Sequence, residues 1–267
     1  MHAYYETTYR ADYKGQTAPP LRKIVRGFLG AADRREALRA FNARTMVDVG
    51  CGAGELVYMM RRAGVDASGL DPGIEFAGFA RAVLGVPIQT ASVDGASIPA
   101  ESQDLVTMFH ALEHVPDPRA VLETVRGWLK PGGHAVVEVP NIAARVQAPS
   151  HQYHYAHLYH FTGGTLGALG EVAGLRLVET RYTADRGNVI CVFRRDSNGF
   201  GPPAGLEGDA ARLLDSLRSH TVVGHYLSAV PFSRALGRLR RRLAENRLLR
   251  RIRTVEQAIT WADSLPT

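Results

Sequence analysis

The stretch from Thr45 to Glu55 reads TMVDVGCGAGE, and it decides the fold. Its apolar part, Met46 to Val49, has the character of a buried β-strand, and the apolar spacing becomes helical from Glu55 to Arg62. Glycines between a strand and a helix let backbone N–H groups come close to a ligand, because no side chains hold the ligand off. The stretch therefore predicts a ligand-binding turn. The turn residues that we expect at the ligand are Gly50, Cys51, Gly52 and Gly54.

Two carboxylates lie at informative positions around this turn. Asp48 sits inside the apolar strand, where an ionised side chain is costly unless it has a partner. A second strand, Ala67 to Leu70, ends in Asp71, which Pro72 follows. A carboxylate at such a strand end can accept hydrogen bonds from both ribose hydroxyls of a nucleoside. We therefore expect a polar partner for Asp48, a nucleoside ligand at Asp71, and Asp48, Asp71 and Pro72 all among the ligand-binding residues.

The motif VDVGCGAG, with Gly69-Leu70-Asp71-Pro72 after it, resembles the first two motifs of the class I S-adenosylmethionine-dependent methyltransferases. An NAD-binding or FAD-binding turn needs a further glycine, which Glu55 and Leu56 do not supply. A glycine turn that binds nothing is the other alternative, and it leaves the two carboxylates without a purpose. The resemblance implies S-adenosyl-L-methionine as the cofactor, with its methionine part at the glycine turn and its ribose at Asp71.

The same resemblance implies a site for the adenine. Asp94 and Gly95 match the position whose acid usually receives the adenine amino group. An Asp-Gly pair is also common in surface turns, so a plain turn is the alternative here.

Strands and helices alternate along the chain, which predicts an α/β fold. The predicted strands are Met46–Val49, Ala67–Leu70, Pro87–Ser92, Asp104–Phe109, His134–Val139, Arg176–Thr183 and Asn188–Arg194. The predicted helices between them are Glu55–Arg62, Pro72–Leu84, Pro118–Leu129 and Phe161–Ala173. A short final connection predicts a hairpin. We therefore expect a doubly wound, Rossmann-like, mostly parallel sheet of seven strands whose last strand is antiparallel.

The predicted domain organisation has four parts. Residues 1–43 form an N-terminal helical lid, 44–195 the cofactor-binding domain, 196–208 a linker, and 209–267 a basic C-terminal helical extension. In the lid, Tyr5, Tyr9 and Tyr13 recur every four residues, which predicts an aromatic helix face. That face either covers the ligand or packs the N-terminus onto the domain. In the extension, helices are predicted at Leu206–Leu217 and Ser233–Ala262.

The stretch from Phe109 to Pro118 reads FHALEHVPDP, and LKPGG and EVPN follow it. These sequences resemble a subgroup of small-molecule methyltransferases that includes ubiquinone-pathway O-methyltransferases. His110 is the first residue past a predicted strand tip, so we expect it in the cleft as a cofactor contact and a catalytic candidate. His114 follows one turn later and is either catalytic or structural.

Four of the ten histidines lie between His151 and His160, interleaved with tyrosines. No metal is expected there, because a spacing of three drifts around a helix and no cysteine is near. The resembled subgroup has a similar segment, and His157 to Phe161 fits it. A neutral imidazole at His157 can remove a hydroxyl proton during methyl transfer. Hydrogen-bonded scaffolding is the alternative role for the cluster.

The basic charge of the chain belongs to one segment. Residues 234–253 hold nine arginines and one acid, Glu245. Because the whole chain carries +6 and this segment +8, the remainder carries −2. That distribution argues against nucleic acid as a partner of the main domain. The segment is either a helix packed on the domain, a contact to a second copy of the chain, or a peripheral contact to an anionic membrane surface.

Composition indicates where in the cell the protein is expected. No run approaches the ~18 apolar residues of a membrane helix, and Met1 to Pro20 is too polar and aromatic for a signal peptide. Two cysteines do not form a disulfide framework. A cytoplasmic protein is therefore expected.

The sequence supports three functions. The first is methylation of a small-molecule acceptor, at a hydroxyl of a secondary metabolite or sugar, with S-adenosylmethionine as donor. The second is RNA methylation, with the arginine segment gripping phosphates. The third is a catalytically inactive, cofactor-binding partner protein.

Overall fold

A computed structural model describes residues 19–196, 206 and 208–266 of the chain. The predicted tyrosine face at Tyr5, Tyr9 and Tyr13 lies outside these residues, as does most of the predicted linker. The four domain bounds therefore stay predictions.

Nine α-helices and seven β-strands are present in the described residues. The helices are α1 Leu21–Leu38, α2 Glu55–Arg62, α3 Ile74–Phe79, α4 Pro118–Trp128, α5 Gly163–Val172, α6 Asp209–Ser219, α7 Val222–Leu227, α8 Val230–Leu249 and α9 Val255–Asp263. The strands are β1 Thr45–Val49, β2 Asp66–Leu70, β3 Ile88–Gln89, β4 Gln103–Phe109, β5 Leu129–Pro140, β6 Arg176–Tyr182 and β7 Asn188–Arg194.

The strands form one seven-stranded sheet in the order β3-β2-β1-β4-β5-β7-β6. β1 pairs in parallel with β2, and β2 with β3. β7 runs antiparallel to both β5 and β6. The predicted fold class, a mostly parallel sheet with an antiparallel last strand, is confirmed. In the described part of the chain, no helix has the length and apolar character needed to cross a membrane.

The chain divides into two compact units, and the first comprises the described residues up to Thr107 and those from Arg242 on. Here α1 packs on α2 through the rings of Phe28 and Tyr58, whose centroids lie 5.6 Å apart. The Tyr58 hydroxyl donates to Asp263 at 2.6 Å, which ties α9 to the same helix. β1 is buried along Met46 to Val49, so the apolar pattern that predicted the strand reflects its burial.

The second unit runs from Met108 to Arg241. β5 is its most buried strand, and its pairing with β7 extends from His134 to Pro140. The Asp117 carboxylate caps α4 by accepting a hydrogen bond from the Ala120 N–H, with Pro118 in the first turn.

Several element bounds differ from the prediction, most clearly in β3, α4 and the C-terminal helix, and β5 begins at Leu129 rather than His134. β3 is two residues long rather than Pro87–Ser92, because it is an edge strand whose partner β2 ends at Leu70. α4 ends at Trp128, since the residue before Pro131 favours an extended backbone and β5 already begins at Leu129.

The predicted helix Ser233–Ala262 is two helices, α8 and α9. The Thr254 side chain caps α9 by accepting from the Gln257 N–H, and Gln257 accepts from the Arg253 N–H in return. This reciprocal cap starts a new helix and buries Ile252 in the turn before it.

Candidate functional site

The glycine turn after β1 depends on three left-handed residues. Gly50, Gly52 and Gly54 have φ angles of 73°, 60° and 81°. Other residues rarely adopt this region, because a Cβ clashes with the backbone there. A Cβ built at Gly54 also lies 3.0 Å from both Ala80 and Val86, whereas one at Gly52 meets nothing within 4 Å. Gly54 thus serves packing, and Gly52 borders open space that a ligand can use.

The turn is held against the end of β2 by its own backbone. The N–H groups of Gly50 and Cys51 both donate to the Leu70 carbonyl, at 2.8 and 3.0 Å. A Cβ on Gly69 would lie 2.6 Å from the Cys51 Sγ, so the sulfur packs directly over β2. The position of the turn is therefore set by β2 as well as by β1.

The Asp71 carboxylate is the hub of this part of the site. One oxygen accepts from the Gly52 N–H at 2.8 Å and the other from the Gly73 N–H at 2.8 Å. The side chain is buried. A carboxylate oxygen offers two acceptor positions, so a carboxylate can accept from backbone N–H groups and from a ribose hydroxyl at the same time.

Asp48 has the polar partner that the sequence required. Its carboxylate accepts from the Thr107 hydroxyl of β4 at 2.7 Å. Burial raises the pKa of Asp48 to about 6, against the opposing effects of the Thr107 hydrogen bond and the Arg34 charge. Asp48 therefore supports the strand beneath the turn, in contact with β4.

The predicted adenine contacts are accessible. Asp94 and Gly95 are exposed in a short 3₁₀ turn, Val93–Gly95, and the Ser92 hydroxyl donates to Asp94. Pro72 is partly exposed beside Asp71. Ile74, two residues further on, is 53% exposed although it is large and apolar. Ile74 was not predicted as a site residue, and an apolar residue just after a strand-end acid is the sequence signal that points to it.

In the second unit, His110 lies between two acidic side chains. Its Nδ1 lies 3.5 Å from Glu113 and its Nε2 3.3 Å from Glu138, and Asn188 donates to the Glu138 carboxylate at 2.7 Å. Burial lowers the pKa of His110, but the interactions with the two glutamates outweigh it and raise the pKa to about 9. His110 is therefore an imidazolium at neutral pH.

The backbone at His110 is also unusual. Its φ is 57°, in the left-handed region, and its N–H donates to the Glu138 carbonyl at 2.9 Å. A non-glycine residue in this region costs about 1 to 2 kcal/mol, so the surrounding contacts must hold it.

Glu113, His114 and His157 form a compact cluster in the same unit. One ligand atom from each residue lies within 4.8 Å of the other two. The Glu113 side chain is 1% exposed, and the His110 Nδ1 lies 3.5 Å from its Oε1. The His114 Nδ1–H donates to the Ala156 carbonyl at 2.9 Å, which leaves Nε2 directed at Glu113 at 3.8 Å. Burial lowers the pKa of His157 to about 4, with a further lowering by neighbouring histidines.

The segment that carries His157 is not helical beyond the short turn Pro149–His151. The part of the argument against a metal that rested on helical spacing therefore does not apply, while the absence of a nearby cysteine still holds. One carboxylate and two imidazoles match the ligand types that divalent zinc takes in proteins. Neither Glu113 nor its role was expected from the sequence, because its partner His157 lies over forty residues away.

The structure thus places the predicted site residues in two sets. Unit one brings Gly52 and Asp71 into direct contact, and unit two brings His114 to His157, with ring centroids 4.9 Å apart. His110 was assigned to both cofactor and catalysis, and its described partners are Glu113, Glu138 and Asn188.

The seven-stranded sheet, its antiparallel seventh strand, and a glycine turn with a strand-end acid define an S-adenosylmethionine-dependent methyltransferase of class I. The chain belongs to the methyltransferase domain family, whose model matches residues 21–180.

Curated relatives agree with this assignment. The chain is 37% identical over 105 residues to a ubiquinone biosynthesis O-methyltransferase of Photorhabdus laumondii, covering 37% of this chain and 43% of the relative. It is 35% identical over 141 residues to the enzyme of the same name from Pectobacterium carotovorum, covering 50% of this chain and 57% of the relative. The chain thus spans about half the length of the curated relatives it matches.

A solved structure matches at the level of the fold. The S-adenosylmethionine-dependent methyltransferase from Mesorhizobium loti has a TM-score of 0.53 and 23% identity, covering 63% of this chain and 100% of that one.

Proposed function

We propose that this protein transfers the methyl group of S-adenosylmethionine to a hydroxyl oxygen of a small molecule, a secondary metabolite or a sugar. The single observation that carries the proposal is the Asp71–Gly52 contact, which joins the strand-end acid to the glycine turn at 2.8 Å. Relatives named ubiquinone biosynthesis O-methyltransferases support oxygen as the acceptor atom. A cytoplasmic location belongs to the same proposal and rests on composition.

For the cofactor, the proposal gives each residue of unit one a task. The open space beside Gly52 receives the methionine part, and Asp71 accepts from the ribose hydroxyls. Asp94 receives the adenine amino group, and the exposed Ile74 packs on the adenine ring. Asp48 contributes by supporting the strand beneath the turn through its hydrogen bond to Thr107.

For the acceptor, the pKa shifts in the second unit distinguish two of the candidate histidines, His110 and His157. His110 is protonated at neutral pH and cannot accept a proton, so its charge balances Glu113 and Glu138. His157 is neutral, and when no cation is bound its unprotonated nitrogen can accept a hydrogen bond from a hydroxyl, although its low pKa makes it a weak base. The exposed rings of Tyr153 and Tyr155 lie in the same segment and suit an aromatic or glycosyl acceptor by stacking.

The cluster of Glu113, His114 and His157 is proposed to hold a divalent cation. The support for this proposal is the geometry, because one carboxylate and two imidazoles, all ligand types that divalent zinc takes, lie within 4.8 Å of one another. When bound, such a cation lowers the pKa of a hydroxyl that contacts it.

The reaction itself is a direct displacement. The acceptor oxygen forms a bond to the methyl carbon, the carbon–sulfur bond breaks, and S-adenosylhomocysteine leaves as a neutral thioether. The hydroxyl proton passes to a base or to water. Since the sulfonium is already a good leaving group, the main task of the protein is to position the two reactants.

The test is transfer of a labelled methyl group from S-adenosylmethionine, measured with a panel of catechols, phenols and glycosides and, in parallel, with RNA. We expect transfer to a hydroxylated small molecule with a weak dependence on salt. Transfer to RNA alone, with a steep loss as salt rises, would overturn the proposal in favour of RNA methylation. Cofactor binding without transfer to any acceptor would favour the inactive partner protein.

A further inference from the structure

Helix α8 carries a row of exposed apolar side chains. Its members recur at spacings of four, three and four residues, so they share one side of the helix. They are Phe232, Leu236, Leu239 and Leu243, with exposed fractions of 69%, 48%, 54% and 49%. We call them the apolar stripe. Helix α7, which precedes α8, exposes Val223, Tyr226 and Leu227 as well.

The other side of α8 is the side that packs. Glu245 is the buried residue of this helix. It accepts from the Arg26 Nε at 2.7 Å and from the Arg22 Nη1 at 3.3 Å, both on α1. Residues two apart in an α-helix point about 200° apart, so Glu245 lies opposite Leu243. The helix is therefore fixed through its polar side, and the apolar stripe faces away from that attachment.

Exposed arginines border the stripe along its length. Arg240, three residues before Leu243, and Arg247, four residues after it, lie along one edge of the stripe. Arg242 lies along the other edge. Residues 234–253 contain nine arginines, and their single acid, Glu245, is already bonded to Arg22 and Arg26. The exposed surface of α8 is thus apolar along a line and positive on both sides of it.

These features identify the chemistry of the partner. A second copy of the chain, docked on the same stripe, brings the same arginines against one another, which is repulsive. An anionic phospholipid surface complements both parts, because the stripe enters the acyl boundary and the guanidinium groups meet phosphates. We propose that α7 and α8 bind the protein peripherally to anionic phospholipid membranes.

The test is co-sedimentation of the full chain with vesicles of phosphatidylcholine, with and without phosphatidylglycerol. We expect binding only to the vesicles that contain phosphatidylglycerol, weakened by salt. The variant Leu236→Ser with Leu239→Ser should lose binding, and Arg240→Ser with Arg247→Ser should weaken it about tenfold or more. All four side chains are exposed, so the fold should tolerate both changes, and thermal unfolding checks this.

Two matched controls use exposed residues outside α8. Val178→Ser removes an apolar side chain that is 53% exposed, and Arg119→Ser with Arg218→Ser removes the same two charges. Both should bind vesicles as the wild type does. The proposal is overturned if the wild type does not bind, if it binds both vesicle types equally, or if the controls weaken binding as much as the α8 variants. A dimer that the Leu236→Ser with Leu239→Ser variant abolishes, without vesicle binding by the wild type, would assign the stripe to a second copy.

Discussion

The carboxylate of Asp71 accepts a hydrogen bond from the backbone N–H of Gly52 at 2.8 Å, and its second oxygen holds the Gly73 N–H. The strand-end acid is therefore part of the turn as well as a candidate ligand for the ribose. A change at this position should affect both the stability of the turn and the binding of cofactor.

Replacing Asp71 by Ala should abolish binding of S-adenosylhomocysteine, measured by isothermal titration calorimetry. The loss of two hydrogen bonds to a buried carboxylate should also lower the free energy of unfolding by about 2 to 4 kcal/mol. The control is Asp66→Ala, at the other end of β2, where the side chain is 81% exposed and pairs with Arg61. It should bind as the wild type does. A folded Asp71→Ala variant with unchanged affinity would remove the cofactor site from this turn.

The variants Gly52→Ala and Gly64→Ala form a matched pair. Both glycines have positive φ, 60° and 85°, and a Cβ at either meets nothing within 4 Å. Each should lose about 1 to 2 kcal/mol of stability from the left-handed backbone. Only Gly52→Ala should weaken S-adenosylhomocysteine binding, by about tenfold or more, since its methyl group enters the proposed ligand space. Equal affinities in the two variants would contradict the assignment of Gly52.

Asp48 predicts an unusual dependence of stability on pH. Because its pKa is raised from 3.8 to about 6, the folded protein holds this proton more tightly than the unfolded chain does. The contribution of Asp48 to stability is therefore largest below about pH 4, falls as pH rises to about 6, and stays low above that.

The variant Asp48→Asn removes this titration. It should be more stable than the wild type at pH 8 by about 3 kcal/mol, from a pKa shift of about 2 at 1.36 kcal/mol each, and equal or less stable at pH 4. Urea unfolding of both proteins between pH 4 and pH 8 measures the difference. Thr107→Val is the companion variant, because it removes the hydroxyl that donates to Asp48 and should destabilise the protein most at pH 8. A difference between Asp48→Asn and wild type that does not change with pH would mean that Asp48 does not titrate in this range.

The Glu113–His114–His157 cluster predicts metal binding. Protein loaded with Zn²⁺ and then dialysed should retain about one ion per chain by elemental analysis. The variants His157→Ala and Glu113→Gln should lose that ion, whereas His151→Ala, in the same segment but outside the cluster, should keep it. Retention by all three variants, or no ion in the wild type, would leave His157 as an imidazole without a metal.

Sequence patterns predicted the role of a residue where that role depends only on its own strand, turn or helix. The three glycines between β1 and α2 each need a left-handed backbone, so their spacing alone located the turn. Asp71 stood out because it ends a strand. The mostly parallel sheet with its antiparallel last strand followed from alternating strands and helices and one short hairpin.

The remaining features depend on contacts across long stretches of sequence. The partner of Asp48 is Thr107, and the neighbour of Glu113 is His157, and no local pattern links either pair. The break between α8 and α9 arises from a cap at Thr254 that competes with a helical pattern continuing through it. The spacing of the histidine segment was weighed against a helical face, whereas only its first turn is helical.

The Glu245 contacts have a consequence for co-translational folding. Arg22 and Arg26 donate to Glu245, which lies more than two hundred residues further along the chain, and Tyr58 donates to Asp263 over a similar separation. During synthesis, α1 and α2 leave the ribosome long before the last helices are made, so these hydrogen bonds cannot form until the last helices emerge. A chain truncated after β7 would contain all seven strands but would lack the part of the first unit from Arg242 on. We expect such a chain to be bound by chaperones or degraded by proteases.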